Sequence, residues 1–562
     1  MQLRLIIALA PVRYALAAFA GLVLASAFPN IGIAGAGWIA PGLLAATALG
    51  TRGRRSFGLG YVAGMAHYLA SLYWLLCIPV QGYPILGWIA LSAFLSLFPA
   101  TWTWLICRWS PPAGSPASSG GIRLPAGLIL LAKATWNHRT RWALGAAALW
   151  VAIEMVIARI FGGFPWNLLG ASQYELLPLI QISAITGVYG VSFLMVWGSM
   201  ALLCALSMIV KDPRARSPGV REMALPALGV SIAMAFGFAH LRNPAVPERT
   251  LRVTLIQPSI PQTMIWNRDD DMERFTALLK LTEQSLTNDA ALVIWPEAAI
   301  PKLLRYEKEI FDPLSALAQE HRIWMIVGAD DAEPSRKAPG RAEYYNSSFL
   351  LNPNGRLADR YRKRSLVIFG EYIPLEQWMP FLKNFTPVTS SFTPGDEAVP
   401  FRMAIQPRGL DADTNDVSLV KTSVLICFED NFPHLVRTYV DADTDFLVNI
   451  TNNGWFGESA AQWQHAANAI FRAIENGIPL IRCSNNGLTC WVDRHGRLRE
   501  IFRDAQETIY GEGFLTIEVP LLNEGQTSGD TFYRRNGDWF GWGCVVASVG
   551  GILAASLKRK RF

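Results

Sequence analysis

The sequence predicts a water-soluble α/β domain inserted into a bundle of membrane-spanning helices, and the distribution of acidic residues is the first reason. Of the 44 acidic residues, four precede residue 242 and none follows residue 538, so 40 fall within 242–538. The rest of the chain contains apolar stretches of about 20 residues, long enough to cross a hydrocarbon core as helices. Within 242–538, strand-like and helix-like patterns alternate, which is typical of an α/β sandwich.

Eight apolar stretches are candidate transmembrane spans. They lie near residues 5–28, 32–50, 57–78, 85–107, 142–161, 188–210, 222–241 and 539–557. The first stretch can also be interpreted as a signal peptide, with Arg4 as its basic region. Arg13 interrupts that apolar core and the apolar pattern resumes directly afterwards, which favours a retained span. The small residues Gly60 and Gly64 predict close helix packing in the third span.

These stretches predict three segments. A membrane domain of seven helices covers 1–241, a soluble domain covers 242–538, and an eighth helix with a basic tail covers 539–562.

Lys and Arg residues predict the orientation of the spans. The connections after spans 2, 4 and 6 and the C-terminal tail carry sixteen of them, whereas those after spans 1, 3 and 5 carry none. The positive-inside rule therefore places both termini in the cytoplasm and the soluble domain outside it. The segment 110–122, rich in Pro, Gly and Ser, predicts a flexible loop on the inner side. Membrane topology explains the net charge of +6, and no nucleic-acid-binding motif is present.

The soluble domain contains seven apolar segments that predict strands, several of them followed by Gly or Asn-Gly turns. They are 251–259, 291–300, 323–330, 346–357, 423–430, 446–456 and 479–498. Helical patterns fall between some of them, notably at 269–287 and 461–477.

Three predicted strands finish in residues that can do chemistry. Glu297 follows the strand LVIWP, Lys363 follows DRYR, and Cys427 ends SVLI. Such strand ends are where sites gather in open α/β sheets. A thiol is only slightly ionised near neutral pH, so a carboxylate such as Glu297 is needed to take its proton during attack on a carbonyl. A buried lysine such as Lys363 would stabilise the oxyanion that follows, and Glu371 and Glu429 are candidates to hold that lysine charged.

Each residue taken alone also has a purely structural interpretation. Cys427 can be a buried strand thiol, Glu297 a surface carboxylate after a turn, and Lys363 a solvated charge in a basic run. Periodicity does not choose between these interpretations.

The combination of motifs does choose, because it resembles a known family. The segments that carry the resemblance are WPEAAIP at 295–301, YRKRSLVIFGEYIP at 361–374, CFEDNFP at 427–433, NITNNGWFGES at 449–459 and, in the membrane part, GGFPWNLLGASQ at 162–173. They are similar to the carbon–nitrogen hydrolase (nitrilase) superfamily and, in detail, to its membrane-bound branch, the apolipoprotein N-acyltransferases. The resemblance implies a nitrilase-like αββα sandwich for the soluble domain.

The resemblance also implies roles for individual residues. The family's catalytic glutamate, lysine and cysteine fall on Glu297, Lys363 and Cys427, and two supporting glutamates fall on Glu371 and Glu429. Tryptophans associated with substrate entry or a lid correspond to Trp266 and Trp455. Two positions depart from the family pattern, since Phe428 stands where tyrosine is usual and Ala298 where serine is common.

The reaction implied is acyl transfer without a metal or diffusible cofactor. Cys427 takes an acyl chain from the sn-1 position of a membrane phospholipid, expected to be phosphatidylethanolamine, and passes it to the N-terminal amine of a diacylglyceryl-cysteine apolipoprotein. The protein is then expected to be a monomeric, multi-pass protein of the bacterial inner membrane with a periplasmic catalytic domain.

Two other functions stay open from the residues alone. One is a membrane-tethered amidase of the nitrilase type that hydrolyses a small amide, and the other is a non-catalytic membrane scaffold. Cys483 and Cys490 flank a turn and are candidates for a disulfide. His465, on a predicted helix, is interpreted as structural, and Asn346 and Asn449 head N-x-S/T sequons without implying glycosylation.

Overall fold

The computed structural model describes residues 10–80, 83–110, 126–211, 216–242, 249–286, 290–335, 339–374, 391–405, 417–522 and 530–560. The chain divides into two compact units. The first, the helical unit, comprises residues 1–76, 84–243 and 538–562. The second, the sheet unit, comprises residues 77–83 and 244–537.

The helical unit is built from apolar helices. They are α1 (Ala10–Ser26), α2 (Ala40–Ala48), α3 (Arg54–Ser71), α4 (Tyr83–Trp109), α5 (Ala126–Lys133), α6 (Trp136–Ile157), α7 (Val188–Lys211), α8 (Arg216–Leu241) and the C-terminal helix Trp539–Lys560. The loop predicted at 110–122 lies outside the described residues apart from its first position.

Five of the predicted spans coincide with helices that are long and apolar enough to cross a membrane. These helical segments are Pro84–Trp109, Trp136–Ile157, Val188–Val210, Gly219–Leu241 and Trp539–Leu557. In the three predicted spans before residue 80, the helices α1, α2 and α3 are shorter or less apolar within the part of the chain that the structure describes. The count of eight spans therefore stays a prediction.

Close helix packing at the glycines of α3 is confirmed. A Cβ added at Gly60 would lie 2.6 Å from the carbonyl oxygen of Pro99, and one at Gly64 would lie 2.7 Å from Cγ of Pro99. Only hydrogen fits in either place, so α3 and α4 approach each other at these two residues.

The sheet unit contains two six-stranded sheets. The first has the order β12-β1-β2-β3-β4-β5 and the second β11-β10-β9-β8-β7-β6. The strands are β1 (Thr250–Gln257), β2 (Leu292–Ile294), β3 (Trp324–Pro334), β4 (Ala342–Leu351), β5 (Leu357–Arg362), β6 (Pro400–Ile405), β7 (Ser418–Ile426), β8 (Phe446–Thr451), β9 (Leu480–Ser484), β10 (Cys490–Val492), β11 (Leu498–Ile501) and β12 (Gly513–Pro520).

Both sheets follow one plan. Three parallel strands, β1-β2-β3 in one sheet and β7-β8-β9 in the other, are flanked by antiparallel strands. The thiol of Cys483 in β9 donates to the carbonyl oxygens of Ile256 and Ile294 in the first sheet, over 3.3 and 3.2 Å. The two sheets therefore face each other.

Helices cover the outer faces of the sheets. Helices α9 (Asp271–Ser285) and α10 (Lys308–His321) share a buried cluster with the first sheet, in which Phe275 and Leu314 contact strand residues such as Met325. Helix α11 (Ala461–Asn476) packs against the second sheet. The α/β sandwich is confirmed.

The structure also departs from the sequence predictions. Strands β6 and β12 and helix α10 were not expected, because β6 is an edge strand with alternating exposure and β12 has mostly half-buried side chains. Cys483 and Cys490 are free buried thiols rather than a disulfide, since Arg482 lies opposite Cys490 in the β9-β10 pair.

Candidate active site

Cys427 lies at a strained turn directly after β7. Its φ of 53° is in the left-handed region, which is costly for a residue with a side chain and must be held by its surroundings. The side-chain amide of Asn449 donates to the Cys427 carbonyl oxygen over 2.9 Å, and Nε2 of His465 lies 3.2 Å from the same oxygen. Cys427 as a whole residue is partly exposed to solvent.

Lys363 follows the last residue of β5 and is buried, with 1 % of its surface exposed. Its Nζ lies 2.8 Å from Oε1 of Glu371 and 3.3 Å from Oε1 of Glu297. Burial alone would lower the pKa of Lys363, but the two carboxylates and Cys427 outweigh it and keep the pKa above its usual value. The lysine is therefore a fixed positive charge, as predicted from the sequence.

Both oxygens of Glu297 are held in place. Oε1 accepts from Lys363 and, over 2.8 Å, from the side-chain amide of Asn346, while Oε2 accepts from the backbone N–H of Asn452 over 3.0 Å. Gly328 allows this approach, because a Cβ there would lie 2.3 Å from the carbonyl oxygen of Pro296. Glu297 thus faces the site in one fixed orientation.

Asn346 joins the two carboxylates. Its Nδ2 lies 2.8 Å from Oε1 of Glu297 and also 2.8 Å from Oε1 of Glu371. The sequence marks this residue only as the head of a sequon, so its contribution to the site was missed. The available signal was an amide side chain within an otherwise buried strand, which needs partners for its hydrogen bonds.

The thiol of Cys427 is protonated at rest. Burial and the nearby carboxylate of Glu297 raise its pKa to about 12, against the lowering effect of Lys363. A nucleophilic sulfur therefore has to lose its proton as it attacks, and Glu297 is the carboxylate with the largest effect on the pKa of this thiol.

Glu429 interacts with Lys363 through its charge but does not pair with it directly within the described residues. In the part of the chain that the structure describes, the ion pairs of Lys363 go to Glu297 and Glu371. The carboxylate of Glu429 instead accepts from the backbone N–H groups of Arg364, Ser365 and Ile426 over 2.7, 3.0 and 2.8 Å, and from the hydroxyl of Tyr361. It therefore fastens the chain after Lys363 to the chain before Cys427, which is a correction of the predicted contact.

His465 belongs to a buried network behind the nucleophile. Its Nε2 lies 2.7 Å from Oδ1 of Asp430, and Asp430 also forms an ion pair with Arg482. Burial lowers the pKa of His465 despite the carboxylate, so the imidazole is neutral near pH 7. The structural interpretation of this residue stands, with the addition that it contacts the carbonyl of Cys427.

The two tryptophans predicted near the entrance touch each other. The ring centroids of Trp266 and Trp455 are 5.2 Å apart with the rings edge to face, and 43 % of Trp266 is exposed.

Phe428 packs edge to face on Phe432 with centroids 4.9 Å apart, so a ring without a hydroxyl is accommodated there. Within the described residues, no three His, Cys, Asp or Glu side chains converge in a way that could hold a metal ion.

Parts of both units match known protein families. Residues 252–524 match the carbon-nitrogen hydrolase family, and residues 20–201 match the N-terminal domain of apolipoprotein N-acyltransferases. An apolipoprotein N-acyltransferase of Geobacter metallireducens is 33 % identical over 97 % of this chain and 96 % of its own length. The one from Vibrio vulnificus is 30 % identical over 93 % of each chain. Among solved structures, an amidase from Nesterenkonia sp. AN1 aligns with a TM-score of 0.34 and 16 % identity over 48 % of this chain and 93 % of its own.

Proposed function

This chain belongs to the apolipoprotein N-acyltransferase family, and we propose that Glu297, Lys363 and Cys427 carry out its acyl transfer. The observation that carries the assignment of residues is the position of Lys363. A buried ammonium lies between Glu297 and Glu371, within electrostatic reach of a thiol at a strained turn. A base, a cation and a nucleophile are then available for one carbonyl.

The first half-reaction forms a thioester. Sγ of Cys427 attacks the sn-1 ester carbonyl of a phospholipid, and Glu297 takes the thiol proton. The ammonium of Lys363 stabilises the negative charge on the carbonyl oxygen in the tetrahedral intermediate. The C–O bond then breaks, Glu297 returns the proton to the leaving alcohol, and a lysophospholipid departs.

The second half-reaction transfers the acyl chain to an amine. The N-terminal nitrogen of a diacylglyceryl-cysteine apolipoprotein attacks the thioester, the C–S bond breaks and an amide forms. Glu297 takes a proton from the nitrogen and returns it to the sulfur of Cys427. The product is an apolipoprotein with three acyl chains, and the free enzyme is regenerated.

The membrane supplies both substrates in this proposal. Removing an acyl chain from a bilayer costs about 0.8 kcal/mol per CH₂, so a site beside the membrane avoids most of that cost. We propose phosphatidylethanolamine as the donor, a monomeric enzyme of the bacterial inner membrane, and a catalytic domain over 242–538 on the periplasmic side. The uneven distribution of Lys and Arg between connections supports that orientation. Trp266, which is exposed, and Trp455, which packs against it, are suited to the entrance for lipid.

Intact-mass analysis of the purified full-length protein tests the covalent step. Incubation with phosphatidylethanolamine should add the mass of one acyl chain, and Cys427→Ser should abolish the adduct. The matched control is Cys77→Ser, which removes an exposed thiol outside the site and should leave the adduct in place. Absence of any adduct on the unmodified protein would contradict the thioester mechanism, and loss of the adduct to water without an amine would indicate a hydrolase.

A further inference from the structure

Strand β3 exposes one carboxylate in the middle of a buried run. The side chains of residues 325–329 and 331–332 are buried, whereas that of Asp330 is exposed. β4 pairs with residues 325–334 of β3, whereas β2 pairs only with residues 324–326, so Asp330 lies beyond the end of β2. Its side chain therefore reaches solvent although its neighbours along the strand are buried.

Strand geometry places Asp330 on the active-site face of the sheet. Side chains two residues apart on a strand share a face, and the missing side chain of Gly328 would run into the backbone of Pro296 and the Cα of Glu297, at 2.3 and 2.8 Å. Asp330 therefore faces the side on which Glu297 lies.

The pairing of β3 with β4 also places Asp330 on the active-site face of the sheet. Asp330 lies directly opposite Asn346 in this antiparallel pair, and directly opposite side chains share a face with Cβ atoms about 4.5–5.5 Å apart. Asn346 is the residue whose amide joins Glu297 and Glu371. The carboxylate of Asp330 thus stands next to the two carboxylates of the site.

The next residue, Asp331, has ion pairs that Asp330 does not have within the described residues. Asp331 points to the opposite face, where it forms ion pairs with Arg305, Arg360 and Arg362. Within the described residues, Asp330 forms neither a hydrogen bond through its carboxylate nor an ion pair.

The charges around Asp330 favour an additional cation. The groups that act on Asp330 are the carboxylates of Glu297 and Glu371 and the guanidinium of Arg274. Arg274 pairs through Nη2 with Asp271 over 2.9 Å, and its buried Nε and Nη1 have no hydrogen-bond partner within the described residues. The ammonium of Lys363 is shared by Glu297 and Glu371. In the described part of the chain neither cation forms an ion pair with Asp330.

We propose that Asp330 binds the primary ammonium of a substrate beside Cys427. This rests on the acyl transfer proposed above. Two substrates carry such a group, namely the α-amino group of the apolipoprotein acceptor and the headgroup of a phosphatidylethanolamine donor. A simple ammonium is the shared chemistry, and the half-reaction in which Asp330 acts identifies its source.

For the acceptor, the step balances as follows. The ammonium gives one proton to Asp330 and becomes a neutral amine with a free electron pair. The nitrogen attacks the thioester carbonyl, the C–N bond forms and the C–S bond breaks. The second proton passes through Glu297 to the sulfur of Cys427.

The acidity of Asp330 suits this exchange. Burial and then the charges of Glu297 and Glu371 raise its pKa to about 7, with Arg274 acting in the opposite direction. An α-amino group has an ordinary pKa of about 7.7–8.0. Because the two values are close, the proton can move from the amine to the carboxylate at little cost.

The test separates the two half-reactions on the full-length enzyme. Thioester formation on Asp330→Asn is followed by intact mass, once with phosphatidylethanolamine and once with phosphatidylglycerol, which has no ammonium. The loaded enzyme is then mixed with a diacylglyceryl-cysteine peptide, and amide formation is measured across pH. Asp359→Asn, a change of an exposed carboxylate on β5, is the matched control, and Asp330→Glu tests rescue.

If the acceptor is the ligand, Asp330→Asn should form the thioester normally and transfer it roughly 10²-fold more slowly, the lower end of general-base contributions. The wild-type transfer rate should rise as pH increases through about 7, and the variant should lack that part of the rise. Transfer to hydroxylamine, which is uncharged at neutral pH, should be nearly unaffected. If the headgroup is the ligand, acylation should slow with phosphatidylethanolamine but not with phosphatidylglycerol.

Other results overturn the inference. Equal slowing with both lipids, equal slowing with hydroxylamine and the peptide, or unchanged kinetics in both half-reactions would each show that Asp330 does not bind an ammonium. Absence of a thioester on the wild-type enzyme would instead contradict the proposed function itself, so the two failures are distinguishable.

Discussion

Replacing Lys363 by Met removes the buried charge of the site while keeping a side chain of similar length. Glu297 and Glu371 then lie on either side of the Asn346 amide without a cation between them. The variant loses the group that stabilises the oxyanion and the ammonium that orients Glu297.

The size of the effect follows from the loss of the group that stabilises the oxyanion. Removing one oxyanion donor costs about 10²–10³ in rate, so we expect thioester formation to slow by about that factor. Breaking a buried ion pair on one side should also lower the free energy of unfolding by about 3–5 kcal/mol.

Lys421→Met is a matched control for this experiment. Lys421 is also buried and also pairs with two carboxylates, Asp441 and Asp443, over 2.7 and 2.6 Å. Both aspartates are largely exposed, so each pair contributes only about 0–1 kcal/mol. This variant should acylate at the wild-type rate.

The assay is single-turnover thioester formation followed by intact mass, with thermal unfolding in detergent measured in parallel. Alkylation of Cys427 by iodoacetamide shows that a slow variant is still folded and accessible. Alkylation of Cys427 should be slower in Lys363→Met at a fixed pH, because Lys363 lowers the pKa of the thiol. Acylation within about threefold of wild type in a folded Lys363→Met protein would refute the position of the lysine in the mechanism.

Other perturbations test the surrounding contacts. Asn346→Ala removes the amide hydrogen bonds to Glu297 and Glu371. Because a hydrogen bond to a charged group contributes about 1.5–3 kcal/mol, acylation should slow roughly tenfold to hundredfold. The control Asn354→Ala, in an exposed turn, should have no effect. Alkylation of Cys427 should keep accelerating up to pH 10, because its pKa is raised to about 12, whereas a free cysteine levels off above about 8.5; a plateau near pH 9 would contradict that shift. Glu429→Gln replaces an acceptor oxygen by an NH₂ group facing backbone N–H donors, so it should lower the free energy of unfolding by about 1–3 kcal/mol, and an unchanged unfolding temperature would show that Glu429 does not fasten the two chain segments.

The fold was predictable where strands are buried on both faces. Strands β2 and β8 are nearly continuous apolar segments, and β1 and β7 are buried over most of their length, so the sequence indicates them directly. The edge strand β6 alternates in burial over only six residues and was missed. Helix α10 was also missed, although its apolar residues such as Leu314 face the first sheet at helical spacing. Short or half-exposed elements depend on partners that the local sequence does not name.

In the candidate site, the residues at strand ends were predictable from the sequence, but their contacts were not. Glu297, Lys363 and Cys427 stand at strand ends, and the structure brings Glu297 next to Lys363 with the thiol of Cys427 within electrostatic reach. Which groups hold them depends on contacts between strands. Asn346 reaches the carboxylates only because β4 pairs with β3, whereas Glu429 is two residues from the thiol and is occupied by backbone N–H groups.

The contrast between Asp330 and Asp331 shows why the partners of a residue could not be predicted from the sequence alone. The two are adjacent and chemically identical, and the sequence gives no reason to treat them differently. Alternation along β3 sends Asp331 to a face with three arginines and Asp330 to the face with Glu297 and Asn346. A shift of one residue in the β3-β4 pairing would turn Asp331 toward Glu297 and Asn346, and Asp330 toward the arginines. Strand register therefore decides which of two identical carboxylates faces the site.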